Sequence, residues 1–343
     1  MLTSLKNKTL PIISITVFIL LLSGCKIFPT PSSHNRYKVI VYFADINLMF
    51  LVPVTYYITE KSIGPREALN CLVSSETPDK NLCRLFPVDT DLLGFEMDKD
   101  GIASINFSAN FKKAFACGGT EGNLLLSSIN YTLSHFKEVK GIKLLIEGKR
   151  VDLLGDLDLK GNLPIERWKN LFLTGKESRV LGEDNRATLY LLEPNTSLLV
   201  PVTCVFRDSK QLPLLAIQHL SRGLDEEWAS PTLPAGTEVL SFNVKNDIGY
   251  IDLNSTFLNL DKNISPEIVI NSLSFTITEF DHINGLHITV EGKDLQSYSS
   301  MKLPSILSRP GVINELVMIP IKESCKEVKT WFITRCFFEE IYL

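Results

Sequence analysis

Apolar residues recur with period two at Val39, Val41 and Phe43, and again at Leu189 and Leu191, so each set predicts a β-strand. The runs Leu51-Val52-Pro53-Val54-Thr55 and Leu199-Val200-Pro201-Val202-Thr203 predict a second strand in each region. Their mid-run proline lacks a ladder donor and so argues for an edge or bulged position. Pro65 precedes Ala68, Leu69 and Leu72, and Pro213 precedes Ala216, Ile217 and Leu220. Both prolines suit a first helical turn, where the missing N–H would have gone unpaired. Leu93, Phe95 and Met97 alternate, the turn Asp98-Lys99-Asp100-Gly101 follows, and Ala103, Ile105 and Phe107 alternate in return, which predicts a hairpin. Leu240, Phe242 and Val244, then Gly249, Ile251 and Leu253, predict the same hairpin again. Leu125, Ile129, Leu133 and Phe136 share one helical face, as do Val269, Leu273, Ile277 and Phe280. A last strand follows in each region, through Ile142, Leu144 and Ile146 or Leu286, Ile288 and Val290. Its other face carries Lys143 and Glu147, or His287 and Glu291, and is therefore at least partly wet.

These parallels are one unit occurring twice. The LVPVT runs lie 148 residues apart, Pro87, Thr90, Leu93 and Phe95 meet Pro234, Thr237, Leu240 and Phe242 at 147, and Glu147-Gly148-Lys149 meets Glu291-Gly292-Lys293 at 144. So small a drift over about 100 residues, with order kept, establishes a tandem duplication. The predicted fold is α+β: two repeats, each a small sheet with helices packed on one face in the order β-β-α-β-β-α-β. Repeat 1 spans 37–152 and repeat 2 spans 187–295. A connector, 153–186, joins them, and an extension, 296–343, carries two cysteines. Leu163-Pro164 with Arg167 and Asn170, and Leu303-Pro304 with Arg309 and Asn314, read as the closing segments of the two repeats.

The start of the chain has a different character. Lys6 and Lys8 precede a mostly apolar run from Leu10 to Leu22, shorter than the about 20 residues a spanning helix needs. The run fits the apolar region of a secretory signal. Leu22-Ser23-Gly24-Cys25 then resembles a bacterial lipobox, which implies a signal peptide over 1–24 and a lipid on Cys25. Residues 25–36 read as a tether.

The full chain of 343 residues carries a net charge of −4. Loss of residues 1–24 would leave 33 basic against 39 acidic residues, or −6. Without a long basic run, this balance argues against nucleic acid as a partner. No HExxH, GxSxG or Walker loop occurs, and the five histidines form no catalytic set, so no enzyme is expected. Cys117-Gly118-Gly119 would need a positioned base to act as a nucleophile, and none is identifiable. Asp98 and Asp100 lack the later ligands of a calcium loop and read as turn residues. No C-x-x-C appears, and neither a metal nor a cofactor is expected. Beyond Cys25, the six cysteines allow 15 connectivities. Cys71–Cys83 and Cys325–Cys336 are the local candidates, with buried thiols as the alternative. The last residues, from Val317 onward, hold the apolar cluster Trp331, Phe332, Ile333, Phe337, Phe338, Ile341 and Tyr342. That cluster could pack on repeat 2 or form a patch for a partner.

A lipobox followed by two copies of this pattern resembles the GerMN-domain lipoproteins of sporulation and spore germination. The residues that carry the resemblance are Ile105-Asn106-Phe107 with Phe111, Ile251-Asp252-Leu253 with Phe257, Tyr131-Thr132-Leu133 with Phe136, Phe275-Thr276-Ile277 with Phe280, and the two EGK turns. It covers about 38–170 and 187–314; Asn106 departs from the acid expected there and present at Asp252. The resemblance implies a non-catalytic envelope protein, held by lipid at the outer face of the cytoplasmic membrane and bound to other envelope proteins of the sporulation machinery. The alternative is an extracytoplasmic receptor for a small ligand or cell-wall fragment, bound in a cleft between the repeats.

Overall fold

The computed structural model describes residues 37–58, 64–77, 79–116, 119–172, 185–193, 196–206, 211–224, 229–298 and 303–315, which belong to one compact unit. Repeat 1 opens with a hairpin of β1 (Tyr37–Asp45) and β2 (Leu51–Ile58), then helix α1 (Pro65–Ser74) and the short strand β3 (Leu82–Cys83). A second hairpin, β4 (Leu92–Met97) and β5 (Ile102–Phe107), leads through helix α2 (Gly119–Leu133) to β6 (Gly141–Ile146). Short strands follow: β7 (Lys149–Arg150), β8 (Leu153–Leu154), β9 (Leu157–Asp158), β10 (Leu163–Pro164) and β11 (Leu171–Phe172). Repeat 2 restates the plan with β12 (Arg186–Leu192), β13 (Leu199–Val205), α3 (Leu212–Arg222), β14 (Val239–Lys245), β15 (Ile248–Leu253), α4 (Pro266–Ile277) and β16 (Gly285–Val290). It closes with β17 (Lys293–Asp294) and β18 (Leu307–Ser308).

The α+β class and the order of elements match the sequence reading. The strands of a repeat divide between two sheets, however, where the sequence suggested one. In repeat 1 these are β2-β1-β3 and β10-β6-β5-β4; in repeat 2 they are β11-β13-β12 and β14-β15-β16-β17. β5 and β6 are parallel, so a crossover must join them, and α2 is that crossover; α4 joins β15 to β16 in the same way. Val41 and Phe43 from the first sheet, Leu69 and Leu72 from α1, Leu125 and Ile129 from α2, and Ile105 and Leu144 from the second sheet share one core. The helices are thus held by apolar residues of both sheets, which explains why their buried stripes are wide.

Two polar devices satisfy backbone that the sheets leave open. Helix α2 lies beside β1, and Ser128 donates to the Tyr42 carbonyl at 2.6 Å. In repeat 2, Ser272 donates to the Tyr190 carbonyl at 2.7 Å while Thr276 accepts from the Tyr190 N–H at 3.0 Å. Buried helical hydroxyls here replace a neighbouring strand. At the tip of the first hairpin the buried Asp45 carboxylate accepts from the N–H groups of Asn47, Met49 and Phe50. Asp45→Ala would strand three donors and is expected to lower the unfolding free energy by about 2 kcal/mol in urea titrations, with Asp45→Asn losing less.

Gly141 and Gly285 open β6 and β16 at equivalent positions. A Cβ at Gly141 would stand 3.0 Å from Ile102, and one at Gly285 2.9 Å from Ile306. A side chain at either position would require these isoleucine methyls to shift.

Candidate functional site: the seam between the repeats

Each closing segment first adds to its own repeat, β10 to β6 and β18 to β16, and then crosses to the other. The Thr203 N–H of β13 donates to the Lys169 carbonyl at 3.0 Å, and β11 then runs parallel to β13, with Leu171 opposite Thr203. Reciprocally, the Thr55 N–H of β2 donates to the Ile313 carbonyl at 3.0 Å, and Thr55 Oγ1 accepts from the Ile313 N–H at 2.8 Å.

Two asparagines join the edges. The Asn170 amide accepts from the Leu51 N–H and donates to the Leu51 carbonyl, as a paired strand would, and donates again to Pro201 in repeat 2 at 2.8 Å. Asn314 does the same with Leu199 and donates across to Pro53 at 2.7 Å. The two sets are reciprocal, each asparagine bonding a leucine of one repeat and a proline of the other. Both asparagines adopt left-handed backbone, with φ of 46° and 48°, a conformation asparagine accepts more readily than other side-chain-bearing residues. Pro53 lies on the edge strand β2, as predicted, whereas Pro201 lies on β13, which is central between β11 and β12, at a place just before the residues that pair with β11. Pro53 and Pro201 offer only carbonyls to the seam, and an asparagine amide is the donor each carbonyl meets.

Aromatic and charged groups flank this core. In repeat 1 the Tyr42 hydroxyl lies 3.3 Å from His135 Nε2, Tyr131 meets Tyr42 edge-on at 5.5 Å, and the Asn170 N–H donates to the Tyr131 hydroxyl at 3.0 Å. In repeat 2, Tyr190 donates to Glu279 at 2.7 Å and stacks on Phe275. Arg309 pairs with Glu279, donates to the Tyr190 hydroxyl and the Phe275 carbonyl, and lies over the Phe275 ring. His135 and Glu279 occupy equivalent places, as their alignment predicted. The counterpart of Arg309, at the same spacing of 144, is Ile165, so only repeat 2 carries the ion pair. Arg167, which the sequence set beside Arg309, instead pairs with Asp281 of repeat 2 at 3.0 Å in the open.

The charges shape one another. Burial would raise Glu279, but Arg309, Tyr190 and Lys169 outweigh it and hold the carboxyl below its usual range. Desolvation, with Lys169 and Arg309 nearby, pushes the His135 imidazole down. Burial likewise lowers Lys169, which sits 5.9 Å from the Tyr131 ring. Burial drives Tyr42 and Tyr190 well up, so both remain neutral hydroxyl donors.

The remaining motifs resolve into structure. Glu147-Gly148 and Glu291-Gly292 form turns with positive φ at both residues. Glu147 accepts from the Ala109 N–H, and Glu291 from the Ser255 N–H. Asp252 accepts from the Gly292 N–H at 2.9 Å, and Asn106 accepts from Gly148 at 2.8 Å, so the amide at 106 does the work of the expected acid. Asp98 accepts from the N–H groups of Asp100 and Ile102 within the hairpin turn. The expected Cys71–Cys83 bond is not made. Cys71 is a free thiol 3.4 Å from Ser75 Oγ, pushed up to about 11 by burial. Cys71 belongs to the main core, whereas Cys83 packs with Tyr42, Ala44 and Leu51 in a separate cluster. Cys25, Cys117, Cys325 and Cys336 lie outside the described residues. Among the described residues no group of histidine, cysteine and acidic side chains has the arrangement of a metal site, and no helix is long and apolar enough to cross a membrane. A shallow, solvent-open depression is lined by His287 and Asp294 of repeat 2 and by Gln296 and Pro304 of the extension.

The sequence missed the exchange of closing segments. Its one signal was the recurrence of Asn170 as Asn314. Two duplicated surface features also escaped notice. Edge strands β4 and β14 each carry a register shift at the same place, and the leucine at the shift, Leu93 or Leu240, is 49% exposed in both.

The two α+β repeats carry the same turn hydrogen bonds, at Glu147 and Gly148 and at Glu291 and Gly292, and are joined through the seam, which defines a tandem-domain protein. The Germane family model, described as "Sporulation and spore germination", matches residues 40–152 and 188–296, more than half of the chain, and the chain belongs to that family. It is 27% identical over 297 residues to the spore germination protein GerM of Bacillus subtilis (strain 168), covering 80% of this chain and 77% of that one. The solved structure of the tandem GerMN domains of the sporulation protein GerM from Bacillus subtilis shares the fold, with a TM-score of 0.63 and 23% identity, over 82% of this chain and all of that one.

Proposed function

We propose that this protein is a non-catalytic scaffold, held by lipid on Cys25 at the outer face of the cytoplasmic membrane, that engages other envelope proteins during spore formation or germination. The observation that carries this reading is the duplicated bulged edge. A bulge commonly re-aims a side chain, and its repetition with an exposed leucine in each copy gives two equivalent anchors beside unpaired strand backbone. An extended segment of a partner could add to such an edge and seat an apolar side chain against the leucine. Family membership supports the developmental setting. The multiple acyl chains of a lipoprotein would make attachment stable.

Deletion in the native host is expected to reduce heat-resistant or germination-competent spores while leaving vegetative growth normal. Cys25→Ala should reproduce part of that defect. Leu93→Lys with Leu240→Lys should reproduce it with the fold intact, because both side chains are already half exposed and the stability change should stay within about 0.5 kcal/mol per site. Normal spores from the double lysine variant would remove the edges from the mechanism.

A further inference from the structure

The two repeats hold the start of their closing segments by different means. In repeat 1 the Arg150 guanidinium of β7 donates to the Lys160 carbonyl, just ahead of β10. The spacing of 144 that superposes β10 on β18 places Asp294 at the position of Arg150 and His287 at that of Lys143. In repeat 2 the hold has accordingly moved from β17 to β16. His287 Nδ1 lies 2.7 Å from the Ser305 carbonyl, and Nε2 lies 3.0 Å from the Asp294 carboxylate. The segment so held runs through β18 to Arg309, which pairs with Glu279, and on to Ile313 and Asn314, which bond repeat 1.

Both partners of the His287 ring are acceptors. A carbonyl and a carboxylate have no hydrogen to give, so each contact is a hydrogen bond only where the ring nitrogen carries a proton. A neutral imidazole has one N–H and one lone pair, so it serves one acceptor and turns a lone pair toward the other. The neighbouring elements supply no alternative donor to the ring's partners. From β15, Tyr250 stands opposite His287 with its ring 5.4 Å away, and the Asp252 carboxylate accepts from Thr289 and from the Gly292 N–H. Glu291, at the end of β16, accepts from the Ser255 N–H. β17 contributes Asp294 and the exposed Lys293, and residues 303–308 contain no titratable side chain. Among the described residues Asp294 is the carboxylate that pairs with this ring.

We propose that His287 is a proton-dependent clasp: with both nitrogens protonated it ties the closing segment of repeat 2 to β17, and on losing a proton it releases one of the two. The form with both contacts holds one proton more than the released form, so acid favours it and rising pH opens it. Imidazole is the side chain that makes such a change near neutral pH. The Arg150 hold in repeat 1 keeps its charge throughout and does not respond. One of the two crossings at the seam is thereby sensitive to pH and the other is not. The inference is independent of the scaffold reading.

Hydrogen exchange of the full chain at about pH 5.5 and about pH 8 tests it, with rates expressed as protection factors so that intrinsic exchange cancels. In the unaltered protein, protection at 305–308 should fall by about fivefold or more at the higher pH, while 161–163 should hold steady. Nitrogen shifts of the His287 ring should show two N–H groups at the lower pH and one at the higher. His287→Lys with Asp294→Arg installs the residues of repeat 1 and should abolish the pH dependence at 305–308. Equal protection of 305–308 at the two pH values in the unaltered chain would overturn the proposal, whatever the variant does. So would a ring with a single N–H at the lower pH, or a pH dependence that survives the double substitution. A fall of the same size at 161–163 would also overturn it, because the loosening would then be general.

Discussion

Asn170→Ala is expected to lower the unfolding free energy by about 3 kcal/mol, measured by urea titration of the purified protein. The amide serves the N–H and carbonyl of Leu51 and the carbonyl of Pro201, so alanine leaves three backbone groups at a half-buried seam without their partner. Each such loss costs about 1 kcal/mol or somewhat less where water can enter. Alanine must also adopt the φ of 46°, which adds about 1 kcal/mol. Asn170→Gly isolates these terms: it loses the same amide without the backbone strain and should fall about 1 kcal/mol less. Asn314→Ala should match Asn170→Ala, since Asn314 makes the reciprocal three bonds. The two sites share the edges of β2 and β13, so their effects should not add. The double variant should split one cooperative transition into two, as repeats that are no longer joined unfold separately. A single transition at nearly unaltered midpoint would show that the apolar contacts alone hold the repeats together.

Acid is expected to weaken the protein in two stages with separate origins. The imidazole of His135 is held below its ordinary range in the folded protein, so as pH falls from about 6.5 the unfolded chain takes a proton that the folded one resists, and stability drops. The ring keeps an open side, so the loss at pH 5 is about 1 kcal/mol and not the larger figure full enclosure would give. Glu279 is depressed by Arg309, so the stability it contributes is present above its ordinary value near 4.5 and is lost as pH falls through the lower folded value. His135→Gln should flatten the upper stage of a melting-temperature profile between pH 7 and pH 4, and Glu279→Gln the lower one. Arg309→Ala should cost about 2 kcal/mol at pH 7. That is less than the 3–5 kcal/mol of a fully enclosed pair, because 39% of the Arg309 side chain is exposed. The pair should also be portable. His135→Glu with Ile165→Arg rebuilds it in repeat 1, and the double variant should be more stable than His135→Glu alone. Equal stabilities would mean that the repeat 1 seam lacks the geometry to hold the pair.

Much of the architecture is written in local periodicity. The stripe Leu125, Ile129 and Leu133 follows one helical face, the prolines at 65 and 213 start helices, and Pro53 sits on an edge strand, because each depends on neighbours a few residues away. The division into two sheets is not local. Val41 and Ile105 read alike as buried strand residues, and nothing in either run says which partner it takes. The seam was the least legible part. Asn170 meets Leu51 across 119 residues and Asn314 meets Leu199 across 115, and amide-to-backbone bonds leave no hydropathic trace. Repetition partly compensated: the recurrence of Asn170 as Asn314 marked the closing segments, though not where they go. It misled at Arg167, whose resemblance to Arg309 is one of composition and not of place. The cysteines show the same limit, since closeness in sequence placed Cys71 with Cys83 while the packing set them in different clusters.

The crossing of the closing segments also fixes an order of events. Thr55 waits for Ile313, 258 residues further along the chain, before its own edge is satisfied. As repeat 1 is synthesised, the bonds of Thr55 to Ile313 therefore have to wait until position 313 has been made. Contacts of such long separation close late and slowly, and leave an unpaired strand available to other chains in the meantime. A chain truncated between the repeats should not yield half of a native protein but an incomplete sheet prone to self-association. The duplication has thus made two units that look modular in sequence into one kinetic object, joined fully only when Ile313 and Asn314 arrive.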